Sequence, residues 1–138
     1  TSLNLGIAKL GDRFTTTFSV RSSVNAEKEG LITKLKELAD FYNGTYSQSG
    51  TYPAWEFKKD SRLRDVMVPI YTRMFGKEPK VLAIHAGLEC GLLGDKLPGL
   101  DCVSIGPQMH DIHTSREKLE IASTKRTWDF LLEILKAL

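Results

Sequence analysis

Apolar and polar residues alternate from the start of the chain. Leu3, Leu5 and Ile7 are separated by Asn4 and Gly6, and after Gly11-Asp12 a second alternation puts Phe14, Thr16, Phe18 and Val20 on one side. Period two is the strand period, and a Gly-Asp pair between two such runs predicts a hairpin. Thr15, Thr17, Ser19 and Arg21 face the other way, so Arg21 ends a polar stripe directed away from the core. The period then lengthens: Leu31, Ile32, Leu35, Leu38, Ala39 and Tyr42 recur at helical spacing, with Asn25 as the cap and Asn43-Gly44 as the stop. Thr45 to Ser49 reads as a weak edge strand. Tyr52-Pro53-Ala54-Trp55 breaks the regularity and places a domain junction around residues 50 to 60.

Beyond the junction, helix and strand patterns alternate. Asp60 or Ser61 opens a helix whose Leu63, Val66, Met67, Ile70, Tyr71, Met74 and Phe75 face inward, ending at Gly76; Pro69 is expected to kink it or shift its start. Two nearly continuous apolar runs, Val81 to Ile84 and Cys102 to Ile105, carry the signature of strands buried on both faces of an α/β sheet. A last helix starts near Ser123 and is expected to bury Trp128, Leu131, Leu132, Leu135 and Leu138. The fold class is therefore α/β, or α+β counted over the whole chain.

Composition narrows the function classes. A chain of 138 residues with 41% apolar and 26% charged residues has enough apolar surface for a real core. Basic residues exceed acidic ones by two and are spread along helical segments, which argues against a nucleic-acid partner. Cys90 and Cys102 lack C-x-x-C spacing and cannot form a disulfide framework, so a reducing, cytoplasmic setting is expected. The apolar runs are too short and too interrupted to span a bilayer. Thr1 in place of an initiator methionine, with strand-like sequence at once, leads us to expect a piece of a longer protein.

Ligands of open α/β sheets sit beyond the carboxyl ends of the parallel strands, which directs attention to the segments 85–91 and 106–114. His113 is the sharpest candidate there: a neutral imidazole is the commonest zinc ligand, and Asp111 or Glu117 is near enough in sequence to orient it. A histidine in a polar loop is more often a plain surface residue, and a catalytic zinc needs about three protein ligands, so spacing alone defines no metal site. His85 and Glu89 are four apart, which on a helix puts both on one face. Glu89 reads as binding a substrate amine or a metal-bound water, with His85 as hydrogen-bond donor, or the two read as a favourable charge at a helix start and a strand-end cap. Cys90, flanked by Leu88 and Leu92, reads as a small buried hydrophobe before it reads as a nucleophile. Arg21 is either a clamp for a carboxylate or a solvated strand end.

Three ordered motifs carry more information than these residues taken singly: His85-Ala-Gly-Leu-Glu-Cys-Gly91, Pro98-Gly-Leu-Asp-Cys-Val-Ser-Ile-Gly-Pro107 and His113-Thr-Ser-Arg-Glu-Lys-Leu-Glu-Ile121. With Arg21-Ser-Ser and Tyr52-Pro-x-Trp55, they closely resemble the C-terminal part of bacterial aminoacyl-histidine dipeptidases, along essentially the whole chain. The resemblance implies a two-zinc catalytic α/β domain interrupted by a ferredoxin-like lid domain that helps form a homodimer. Residues 1–55 would be the closing hairpin, helix and strand of the lid, and residues 56–138 the closing helix-strand-strand-helix part of the catalytic domain. It further implies that His113 is a ligand of one zinc, that Arg21 approaches the carboxylate of a dipeptide substrate, and that His85, Gly87 and Glu89 line the pocket. The other metal ligands and the catalytic glutamate would lie outside this chain, which is then expected to be inactive alone. The rival reading is a non-catalytic dimerisation or interaction module presenting a sheet edge and an amphipathic helix.

Overall fold

The structure, a computed structural model, describes residues 1–85 and 89–138. The chain divides into two compact units, one formed by Thr1–Lys58 with Leu82–Leu100, the other by Lys59–Val81 with Asp101–Leu138.

The first unit opens with the expected hairpin, β1 (Ser2–Leu10) and β2 (Phe14–Arg21), paired antiparallel from Ser2 opposite Arg21 to Leu10 opposite Phe14. The register slips between Leu5 and Ile7, leaving Gly6 as the extra residue of a bulge. Leu3 and Leu5 therefore stand opposite Val20 and Phe18, whereas Ile7 stands opposite Thr17 on the polar face. Helix α1 (Asn25–Phe41) follows, but Asn25 does not cap it. Its carboxamide oxygen accepts from the backbone N–H of Ala54 (2.9 Å) and from Lys28 Nζ (3.3 Å), and Val24 occupies the capping position with an extended backbone. The Asn25 side chain is thus spent on tying the helix start to the 52–56 segment, where Glu56 also accepts from the Asn25 N–H and the Tyr52 carbonyl from Lys28. Asn43 takes a positive φ of 52° and Gly44 N–H returns to the Ala39 carbonyl at 2.7 Å, the stop that the sequence predicts. Residues 45–49 form no ladder, contrary to expectation, because among the described residues no strand pairs with them. Helix α3 (Glu89–Lys96) packs Gly91 onto this unit, with Pro53 and Trp55 as its nearest neighbours.

In the second unit, α2 (Arg62–Phe75) is capped by Ser61, whose Oγ accepts from the Arg64 N–H (3.1 Å) and donates to Asp101 (2.8 Å). The other Asp101 carboxylate oxygen accepts from the Leu63 N–H at 2.9 Å, so one aspartate secures two further groups at the helix start. The helix runs through Pro69 without a shifted start and ends at Gly76, left-handed at φ 68°. Met67 and Ile70 form the core with Phe130 and Ile134 of α4 (Ile121–Ala137), bordered by Leu63, Val66, Tyr71, Met74, Phe75 and Val103. Tyr71 meets Phe130 edge-on at a centroid distance of 5.4 Å. Each fully buried aliphatic or aromatic side chain of this kind stabilises the fold by about 1.5–3 kcal/mol. Arg73 pairs with Glu133 across the two helices at 3.1 Å. The Glu133 carboxyl is held below the ordinary glutamate range, first by the hydrogen bond from Lys136 and by its charge, then by Arg73, with slight burial opposing.

Two further expectations need correction. The runs 81–84 and 102–105 form no strands, and Leu82 is 73% exposed. A doubly buried strand needs neighbours to bond and cover it, and the described residues supply none. The α4 stripe is also displaced: Ser123, Phe130 and Ile134 are buried, while Trp128, Leu131, Leu132, Leu135 and Leu138 are exposed. The helix is apolar over more than one face, and α2 covers the face bearing Phe130 and Ile134. It also starts two residues before Ser123, at Ile121.

Candidate functional site

The loop that carries His113 is built as a small hairpin on the start of α4. Its arms, β3 (Met109–His110) and β4 (Lys118–Leu119), pair antiparallel, Met109 with Leu119 and His110 with Lys118. The base is closed by the Glu120 N–H bonding the Gln108 carbonyl at 3.0 Å. Ser123, only 4% exposed, fastens both arms: its Oγ accepts from the Gln108 N–H at 2.8 Å and donates to the Glu120 carbonyl at 2.6 Å. A buried hydroxyl with a donor and an acceptor bond is satisfied, and losing it strands the Gln108 N–H at a cost of about 1–3 kcal/mol.

The tip is held by a local network. The Asp111 carbonyl accepts from both the Thr114 N–H (3.2 Å) and the Thr114 hydroxyl (2.7 Å), and Thr114 accepts from the Arg116 and Glu117 N–H groups, each at 3.1 Å. Asp111 and His113 both take left-handed backbone angles, φ 50° and 65°. That conformation costs an L residue about 1–2 kcal/mol. Glu117 counters it at His113, its Oε2 accepting from the His113 backbone N–H at 2.8 Å. A carboxylate near His113 was expected from the sequence, and the structure supplies it to the main chain instead of to the ring. His113 is exposed, and among the described residues its imidazole makes no hydrogen bond.

The remaining candidates lie in the first unit. Arg21 is exposed at the end of β2, where the alternation puts it, and makes no ion pair among the described residues. Glu89 is exposed as the first residue of α3, a favourable place for a negative charge. His85 is exposed and precedes that helix, so the pair does not share the helix face that its spacing allows. Gly87 lies outside the described residues. Cys90, and Cys102 of the second unit, are half-buried. An open hollow lined by Thr1, Ser2, Leu3, Glu27, Gly30 and Lys34 holds none of these candidates. Two supporting residues were not singled out from sequence: Ser123, which reads there as a helix start, and Glu117 in its main-chain role.

His113 fits one ligand position of a zinc site by donor chemistry, being an exposed imidazole on a clamped turn. No group of three or more His, Cys, Asp or Glu side chains that could hold a metal occurs among the described residues. The described residues therefore do not by themselves complete a metal site. No helix among them is long and apolar enough to cross a membrane.

Comparison with known proteins bears on this geometry directly. No family model matches the sequence. The chain is 34% identical over 137 residues to the cytosol non-specific dipeptidase of Escherichia coli (strain K12), covering 99% of this chain and 28% of that protein. It superimposes on the crystal structure of aminoacylhistidine dipeptidase from Vibrio alginolyticus with a TM-score of 0.84 at 30% identity, again over 99% of this chain and 28% of the other. The resemblance to aminoacyl-histidine dipeptidases holds along almost the whole chain. Its mixed α/β fold, with four helices and two small ladders among the described residues, matches a segment of that enzyme. The chain spans 28% of the length of the curated dipeptidase it matches.

Proposed function

We propose that this chain serves as the C-terminal portion of a two-zinc dipeptidase acting on Xaa-His and related dipeptides, and that it is inactive by itself. The observation that carries the proposal is the 34% identity to a dipeptidase along 99% of the chain, which includes the clamped hairpin bearing His113. On this reading residues 1–55 belong to a lid domain through which two copies dimerise, residues 56–138 belong to the catalytic domain, and the intact protein is cytoplasmic.

His113 would hold one zinc through its imidazole, directed by a turn fixed at base and tip. A zinc pair, when bound, supplies an acidified water and a Lewis acid for the peptide carbonyl. Arg21, ending the polar stripe of β2, would present its guanidinium fork to the substrate carboxylate. Glu89 would take the substrate amine by charge, with His85 and Gly87 lining the same pocket. These residues bind and orient; the proton-transferring glutamate would come from outside the chain.

The test is the metal content of the intact protein. His113→Ala is expected to lose one of two zinc ions and to lower turnover by several orders of magnitude, whereas full zinc content with wild-type turnover would remove His113 from the site.

A further inference from the structure

A carboxylate supporting a metal-bound histidine ordinarily accepts from the free ring nitrogen. The Glu117 carboxylate does something else. Glu117 Oε2 accepts from the His113 backbone N–H at 2.8 Å, and His113 stands in the left-handed region at φ 65°. We propose that Glu117 is a positioning residue for the ligand: by holding the His113 main chain, it keeps the residue in the conformation that presents the imidazole, and it leaves both ring nitrogens free. The inference rests on the reading of His113 as a zinc ligand.

Three features of the hairpin carry it. The base is immobilised by buried Ser123, which bonds both arms. The Asp111 corner is held twice by Thr114, through its N–H and its hydroxyl. At the His113 corner, Glu117 accepts from the backbone N–H. The link closes a ring over residues 113–117, in which the Glu117 N–H is itself fixed by the Thr114 carbonyl at 3.1 Å. Removing the Glu117 carboxylate opens this corner while base and Asp111 corner stay intact. A left-handed residue without its holding bond returns to the commoner right-handed or extended regions, and the direction of its side chain changes with the backbone.

The acceptor role can be separated from the charge. A glutamine oxygen accepts from the same N–H without a negative charge, and an alanine cannot accept at all. The experiment compares Glu117→Ala, Glu117→Gln and His113→Ala in the intact protein, measuring zinc content and zinc affinity by competition with a chelator, together with the thermal midpoint of each metal-free form. We expect Glu117→Ala to weaken one zinc by about tenfold or more, the usual effect of removing an outer support of a ligand. Glu117→Gln should keep wild-type affinity. If Glu117→Ala binds zinc as the wild type does, or if glutamine weakens it as much as alanine, the positioning role is overturned while His113 remains a ligand. If His113→Ala retains both zinc ions, the reading beneath the inference fails instead. Should metal-free Glu117→Ala prove unfolded, the glutamine variant decides: wild-type affinity supports the acceptor role and a tenfold loss overturns it.

Discussion

Gly30 and Gly91 both sit inside helices, where glycine costs about 1 kcal/mol against alanine. At Gly30 of α1 a methyl group would meet nothing within 4 Å, so Gly30→Ala should stabilise the chain by about that amount. At Gly91 of α3 the methyl would come within 3.0 Å of the Pro53 carbonyl oxygen and 3.5 Å of Trp55 Cβ. A backbone oxygen cannot swing aside as a long side chain does, and overpacking of this kind costs about 1–3 kcal/mol. Gly91→Ala should therefore destabilise, so that the two substitutions move the denaturation midpoint in opposite directions. His113 makes the same point for the candidate site. Its polar loop, its place after an apolar run and the nearness of Glu117 were legible in the sequence. That Glu117 serves the main chain was not, because the need for it arises from a positive φ that no pattern of residue types announces.

Among the elements, those governed by contacts close in sequence were readable. The hairpin with its turn, the α2 boundaries at Ser61 and Gly76 and the stop of α1 follow from alternation, capping chemistry and glycine. The errors share one physical origin, competition for partners distant in sequence. Asn25 could cap a helix, yet its oxygen is engaged by Ala54, 29 positions away. Helix α4 has more apolar surface than α2 covers, and periodicity picks out an apolar stripe without saying which one meets a neighbour. Ile134, 2% exposed, lies on the covered face, and Ile134→Ala should cost about 2–5 kcal/mol in chemical denaturation. A loss below about 1 kcal/mol would place the core on the other stripe.

For the whole molecule, the uncovered apolar surface is the feature to explain. Trp128 at 58% exposure, Leu135 at 61%, Ile105 at 42% and the run 81–84 leave large apolar side chains in contact with water. If this chain works as part of a dipeptidase of its relatives' length, the remaining protein covers the outer face of α4. Leu135→Ala should then change the stability of this chain by less than about 0.5 kcal/mol and cost about 2–5 kcal/mol in the intact protein. Equal effects in both would leave that face in solvent and disfavour the proposal. The sequence by itself determined the local order of helices and turns, the mixed α/β class and the ordered motifs that align with a dipeptidase, since these depend on periodicity, capping and residue identity over short stretches. Tertiary structure decided which apolar stripe of α4 is buried, which runs lack a sheet to join, and how the His113 turn is braced, because each depends on partners that folding alone brings together.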